Sequence, residues 1–232
     1  FEQWGMHMPA DRPLNLPAAV IFDMDGLLLD SEAVMRRCFD RIAAQQGWTL
    51  APGVFESMIG LNRAMSLDVL ARHVPAEIGA VDFDAAVHAA YDAEIARGIP
   101  LKFGALSLVE HLVAHEVPCA VATSSAVQLA ERKLSAAGLL KRLDAVASGE
   151  EVANGKPAPD VFLLAAERLR VPPSECVAFE DSPTGVRSAL AAGMRVVQVP
   201  DMAAAESSIE RHGVIVAETL IAGAIAIGLL HG

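Results

Sequence analysis

Aromatic side chains are scarce in this chain: eight Phe, two Trp and one Tyr make up 5% of its 232 residues. A core must therefore be assembled mainly from alanine, valine and leucine. Cysteine is rarer still. Cys38, Cys119 and Cys176 stand far apart with no C-x-x-C between them, which excludes a disulfide framework and fits a reducing, cytoplasmic setting. Cys119 and Cys176 lie within apolar runs and read as core filling. Positive charge is also short: 18 Lys and Arg against 29 Asp and Glu leave a formal net charge of −11. That disfavours nucleic acid or an anionic membrane as a partner, and an anionic substrate would need positive potential supplied locally. No basic stretch followed by an apolar one opens the chain, so no leader peptide is read there. The apolar run from Val214 to Leu230 is broken by Glu218 and rich in Gly and Ala, which argues against a membrane span. Residues 1–15 read as a tag remnant or disordered N-terminus, with Met8 as the natural start.

What the chain does have is a large apolar fraction, 53%, enough for a sizeable core in one or two domains. It is organised around Val20-Ile21-Phe22-Asp23-Met24-Asp25-Gly26. The run Ala18 to Phe22 reads as a buried strand of a parallel sheet. It ends in two carboxylates one residue apart, and Gly26 permits a sharp turn. Chemistry in open α/β sheets collects at the carboxyl ends of strands. Two acids held this close repel unless a cation or a shared proton intervenes. An EF-hand calcium loop is excluded, because Leu27 occupies the third ligand position and Gly26 comes too early. Taken alone, the acidic turn is equally readable as a cap for the next helix, by Asp30 or Ser31.

Helical periodicity then covers Ser31 to Gln46, Pro52 to Ile59, Ala64 to Val74 and Phe83 to Ala96. No strand-like run appears between Ser31 and Gly98, whereas a βαβ unit needs only about 30 residues. An inserted all-helical domain over 31–98 is expected, splitting an α/β core into 16–30 and 99–232. Beyond Gly98 the strand and helix rhythm resumes. Strands are expected at Pro118–Thr123, Asp144–Ala147, Cys176–Phe179, Arg195–Val199 and Val214–Val216. Helices are expected at Gly104–Glu116, Ala126–Ala137, Pro157–Leu169, Thr184–Ala192 and Leu220–Leu230.

The strand ends carry the chemistry. One ends in Thr123-Ser124-Ser125 at a helix start, an anion-binding arrangement of hydroxyls and free backbone N–H groups. Gly155-Lys156-Pro157 wedges a lysine between two backbone-restricting residues. Phe179-Glu180-Asp181-Ser182 ends a strand in two more acids. Each feature alone is satisfied by helix capping or a solvated charge. Together they gather four carboxylates, intolerable without a divalent cation, beside a lysine and hydroxyls suited to a phosphoryl group. Oxygen donors without paired His or Cys point to Mg²⁺.

With these residues in view, the chain resembles the haloacid dehalogenase superfamily, in its phosphatase branch with a helical cap. The resemblance rests on Asp23-Met24-Asp25-Gly26, on Thr123 with Ser124, on Gly155-Lys156-Pro157-Ala158-Pro159-Asp160 and on Phe179-Glu180-Asp181-Ser182-Pro183-Thr184-Gly185, in that order. It implies a Rossmann-like parallel sheet with a cap between the first two strands. It implies Asp23 as nucleophile and Asp25 as proton donor and acceptor. Thr123, Ser124 and Lys156 would bind the phosphoryl oxygens. Mg²⁺ would be held by Asp23, the Asp25 carbonyl, Glu180 and Asp181. A cap loop with Gly60 and Arg63 would read the substrate. Lys102-Phe103-Gly104 departs from the family's Lys-Pro-Gly before the first core helix.

The implied activity is Mg²⁺-dependent hydrolysis of a small phosphorylated metabolite, a sugar phosphate or nucleotide-like ester, through an aspartyl-phosphate. The implied assembly is a monomer or weak homodimer. Asp25 argues against true dehalogenases, which lack it. A mutase of the β-phosphoglucomutase type is the alternative. Those enzymes place a histidine on the first cap helix, where this chain reads Ala33-Val34-Met35-Arg36-Arg37. A phospho-receiver signalling domain is a remoter alternative, being about half this length with no helical insertion and no counterpart of Asp25.

Overall fold

The computed structural model describes residues 16–59, 63–201 and 213–231; residues 1–15 and Gly60 lie outside that set. Its strands are β1 (Ala19–Phe22), β2 (Cys119–Thr123), β3 (Ala145–Ser148), β4 (Cys176–Glu180), β5 (Arg195–Gln198) and β6 (Ile215–Val216). They form one parallel sheet in the order β3-β2-β1-β4-β5-β6. Side chains alternate across it, as the pleat requires. Val20, Phe22, Cys119, Val121, Val177 and Phe179 face one apolar cluster, whereas Ala19, Ile21, Ala120, Ala122, Cys176 and Ala178 face the other. Both faces are buried, so the strands read as continuous apolar runs.

Helices α4 (Ala105–Ala114), α5 (Val127–Ala136) and α8 (Leu220–Ala226) contribute to the first cluster, and α6 (Asp160–Leu169) and α7 (Pro183–Ala191) to the second. Between β1 and β2 the described elements are helical: α1 (Ser31–Gln45), α2 (Arg63–His73) and α3 (Ala80–Arg97). Their centre gathers much of the chain's small aromatic complement. Phe39 lies 5.4 Å from Phe55 and 5.7 Å from Phe83, and Trp48 lies 5.1 Å from Phe83, all edge to face. Such pairs add to plain area burial.

The chain passes between the helical insertion and the sheet at two adjacent crossings. Asp30 N–H donates to the Pro100 carbonyl at 2.8 Å, and Lys102 N–H to that of Leu28 at 2.9 Å. Lys102 also pairs with Asp201 at 2.5 Å and with Asp30 at 3.7 Å.

Two sequence expectations are corrected. Pro52–Ile59 is not a helix: turns lead to a short 3₁₀ segment at Glu56–Met58. Gly53 takes φ +83°, which interrupts helical propagation, and Val54, Phe55 and Met58 are buried from the turn instead. The last helix stops at Ala226 rather than Leu230, ahead of Gly228 at φ +74°.

Candidate active site

The sheet order reverses direction between β1 and β4, where crossovers leave in opposite senses and open a crevice at the strands' carboxyl ends. Asp23 follows β1 directly, and its N–H donates to the Phe179 carbonyl at 2.9 Å. The first acid is thereby fixed against the end of β4, where Glu180 and Asp181 stand. Oxygens of Asp23, Glu180 and Asp181, all buried, lie within 4.8 Å of one another.

Lys156 enters this cluster from the loop before α6. Its Nζ donates to Asp23 Oδ1 at 2.5 Å, to Glu180 Oε1 at 2.7 Å and to the Ala122 carbonyl at 3.0 Å. It also sits 4.9 Å above the Phe162 ring. Burial alone would discharge this ammonium, but the two carboxylates raise its pKa.

Glu180 is anchored at its other oxygen, which accepts from Ser182 N–H at 2.8 Å and Ser182 Oγ at 3.0 Å. Ser182, not Asp181, caps α7, accepting from Gly185 N–H. Asp181 is therefore left facing the cluster, while its carbonyl accepts from Gln198 Nε2 at 3.2 Å. Two glycines make room for these acids. A Cβ on Gly185 would fall 1.5 Å from Glu180 Oε1, and one on Gly26 2.4 Å from Asp181 Oδ2. Gly26 also takes φ +87°, a conformation L side chains resist.

The electrostatics show what the cluster lacks. Burial raises the Asp23 carboxyl to about 7, against the attraction of Lys156 and with the repulsion of Glu180 and Asp25. Burial, Asp23 and Glu180 together raise Asp181 to about 10. Three buried carboxylates share one ammonium, so protons must supply the missing positive charge unless a cation does. An all-oxygen donor set of this kind suits a hard divalent cation.

Asp25 sits in a different environment. Burial is the largest influence and pushes its pKa up, but Lys133, Ser31 and Ser125 together outweigh it and the carboxyl lies below its ordinary value. Lys133 Nζ donates to Asp25 Oδ1 at 2.8 Å, and Ser125 Oγ to Oδ2 at 2.8 Å. Lys133 is 4% exposed and lies 5.2 Å from the Tyr91 ring of α3. Sequence reasoning missed Lys133 and Tyr91, and it read Ser125 as one hydroxyl of an anion-binding turn rather than as a partner of Asp25. A signal for Lys133 was present, since it falls on the inward stripe of α5 with Ala130 and Leu134. Thr123 is buried at the end of β2, where its Oγ1 accepts from Ser125 N–H at 3.1 Å. Ser124 is exposed at the same turn.

A cavity of about 520 Å³ lies between this crevice and the helical insertion, lined by Asp25 and Lys133 on one side and by Phe55, Arg63, Asp84 and Tyr91 among others. The structure thus brings Asp23, Lys156, Glu180 and Asp181 into one cluster, with Asp25 close beside it. Arg63 lies in the cavity wall, held by Asp84, and not in that cluster.

A parallel α/β sheet with an acid pair after β1, a second after β4 and a buried lysine between them defines a class of hydrolase. The haloacid dehalogenase-like hydrolase family matches residues 17–193, and the chain belongs to it. Among curated relatives, the "Probable pseudouridine-5'-phosphatase" of Drosophila melanogaster is 37% identical over 198 residues, 83% of this chain and 85% of that one. The fructose-1-phosphate phosphatase YqaB of Escherichia coli K12 is 35% identical over 185 residues, 78% of this chain and 96% of that one. Among solved structures, a family hydrolase from Deinococcus radiodurans R1, with bound phosphate and sodium, is 28% identical. It superposes with a TM-score of 0.75, covering 95% of this chain and 99% of that one. Among the described residues no helix is long and apolar enough to cross a membrane.

Proposed function

We propose that the chain is a Mg²⁺-dependent phosphomonoester hydrolase acting on a small phosphorylated metabolite, a sugar phosphate or a nucleotide-like ester. The observation that carries this reading is Lys156 Nζ bridging Asp23 and Glu180 with Asp181 in reach. A nucleophilic carboxylate, a buried cation and a metal-suited cluster then converge on one point, which is what phosphoryl transfer requires. The relatives named as phosphatases of fructose 1-phosphate and pseudouridine 5'-phosphate support the substrate class.

In this reading α1 to α3, residues 31–98, are a cap, and 16–30 with 99–232 are the core. An oxygen of Asp23 attacks phosphorus and the ester P–O bond breaks, leaving an aspartyl-phosphate. Asp25 gives its proton to the departing alkoxide. Water then attacks the same phosphorus, Asp25 takes a proton from it, and the bond to Asp23 breaks to release phosphate. Lys133 and Ser125 hold Asp25 in its ionised form, the form needed for the second half. The negative charge of an arriving phosphoryl group favours its protonated form for the first. Thr123, Ser124 and Lys156 bind phosphoryl oxygens. Asp23, Asp25 through its carbonyl, Glu180 and Asp181 would hold Mg²⁺, which supplies charge neutralisation at the phosphoryl group when bound. Gly60 and Arg63 belong to the substrate side. Three buried thiols without a disulfide accord with a reducing, cytoplasmic setting.

The test is ³¹P NMR on a panel of sugar and nucleoside monophosphates with Mg²⁺, including β-glucose 1-phosphate with catalytic glucose 1,6-bisphosphate. Free phosphate is the expected product. Accumulation of glucose 6-phosphate with little free phosphate would establish a mutase instead.

A further inference from the structure

The wall of the cavity built by α2 and α3 holds a polar trio, Arg63, Asp84 and His88, that the proposed chemistry does not use. Arg63, at the start of α2, donates from Nε at 3.0 Å and from Nη2 at 2.7 Å to the same oxygen of Asp84. His88 Nε2 lies 3.3 Å from the other oxygen of Asp84, one helical turn further along α3. The Asp84 side chain is 4% exposed, whereas Arg63 is 64% and His88 43% exposed. A carboxylate this deeply buried persists only with a partner, so Asp84 commits the arginine to itself from inside the wall.

The charge balance of the whole cavity points the same way. Among its described lining residues the cations are Arg63 and Lys133, and the acids are Asp25, Glu32, Asp84 and Asp92. Lys133 is committed to Asp25 and Arg63 to Asp84. Asp92 pairs with Arg132, which lies outside the lining. Glu32 adds a further acid. Away from the catalytic cluster, then, the described lining residues offer no uncommitted Lys or Arg, and their remainder is largely apolar: Met35, Phe39, Phe55, Met58 and Ile59.

Resting on the phosphomonoester reading above, we infer that Asp84 is a specificity-determining residue. By holding Arg63 from within the wall, it leaves the far end of the pocket neutral and hydrogen-bonding. The site accepts a metabolite with a single phosphate and a neutral hydroxyl-bearing or amide-bearing remainder, and it rejects a second phosphate. This is specificity by an unmet charge as much as by fit: a dianion at that wall would meet an arginine already neutralised by Asp84 and would lose hydration with no counter-charge in return.

The test compares kcat/KM for matched pairs, fructose 1-phosphate with fructose 1,6-bisphosphate and ribose 5-phosphate with ribose 1,5-bisphosphate, at one ionic strength with Mg²⁺. The wild-type chain is expected to prefer each monophosphate by tenfold or more. In Asp84→Asn the bisphosphate-to-monophosphate ratio is expected to rise at least tenfold, because Arg63 keeps its place but loses its counter-charge. Asp84→Glu, which retains the charge, is expected to keep the wild-type ratio. Equal wild-type efficiency on both members of a pair overturns the inference whether or not the variants fold. So does a ratio that moves alike in both variants or in neither. No release from any monophosphate or from p-nitrophenyl phosphate would remove the phosphatase reading, and this inference with it.

Discussion

Replacing Lys156 by Met removes one ammonium and keeps most of the side chain's apolar stem. The Lys156 side chain is 6% exposed, and its partners Asp23 and Glu180 are 9% and 1% exposed, so solvent does little to screen the loss. Three buried carboxylates would be left with no protein cation in contact. Removing one partner of a buried pair costs about 3–5 kcal/mol. For a chain of this size each kcal/mol lowers Tm by about 2–4 °C, so a drop of about 6–20 °C follows.

The deficit must depend on pH. Asp23, already raised to about 7 with Lys156 present, rises further without it, and protonation then relieves the repulsion. The loss is therefore larger at pH 8 than at pH 5. It is also expected to be larger in EDTA than with Mg²⁺, which in the proposed function would restore part of the missing charge. Turnover should fall by at least about 10²-fold, the usual consequence of deleting one preorganised charge-stabilising group. Differential scanning calorimetry at both pH values, with and without Mg²⁺, gives the stability term, and phosphate release gives the rate. A variant within about 1 kcal/mol of wild type in EDTA at pH 8 would refute the claim that Lys156 balances this cluster.

Asp23→Asn should abolish both turnover and phosphoryl-enzyme formation while leaving Tm unchanged or higher, since a raised carboxyl is replaced by a neutral isostere; near wild-type hydrolysis of p-nitrophenyl phosphate would dismiss Asp23 as nucleophile. Asp181→Ala should raise the Mg²⁺ concentration needed for half-maximal rate at least tenfold, or end activity; an unchanged Mg²⁺ titration would exclude Asp181 as a ligand. Without metal, stability should fall as pH rises. The folded-state values of Asp23 and Glu32, about 7, and Asp181, about 10, stand above their ordinary 3.8, 4.5 and 3.8. Their contribution is thus complete below about pH 4 and lost as pH passes 7 and then 10. Tm in EDTA should drop between pH 5 and pH 9, with Mg²⁺ flattening the profile; a Tm rising over that window would contradict it. Gly185→Ala should displace Glu180 and lower both Tm and rate, because the added Cβ would lie 1.5 Å from Glu180 Oε1; a variant indistinguishable from wild type in both would show that Glu180 is free to move.

The order of strands and helices was legible because it is written locally. An apolar run of strand length that stops in Asp23, or in Glu180 and Asp181, identifies its end without reference to anything distant. Once the strands are parallel, those ends share one edge. Periodicity placed α1, α3 and α5 within a few residues of their observed limits for the same reason. It failed over residues 52–59, where Val54, Phe55 and Met58 carry a helix-like apolar spacing but Gly53 breaks the backbone and burial is achieved from a turn.

The partners of the charged groups were not written locally. Lys133 and Asp25 are 108 positions apart, and Lys156 and Asp23 are 133 apart. Arg63 meets Asp84 only because two helices pack at one particular rotation. Sequence supplied the carboxylates, the lysines and the strand ends that carry them. Tertiary packing alone decided that Asp25 faces a buried lysine and stays ionised, that Asp23 and Asp181 are forced upward by burial and mutual repulsion, and that the arginine of the cavity wall is already neutralised. Charges acquire these properties from what surrounds them at a few ångströms and from how much water is excluded, and neither quantity exists until the chain has folded.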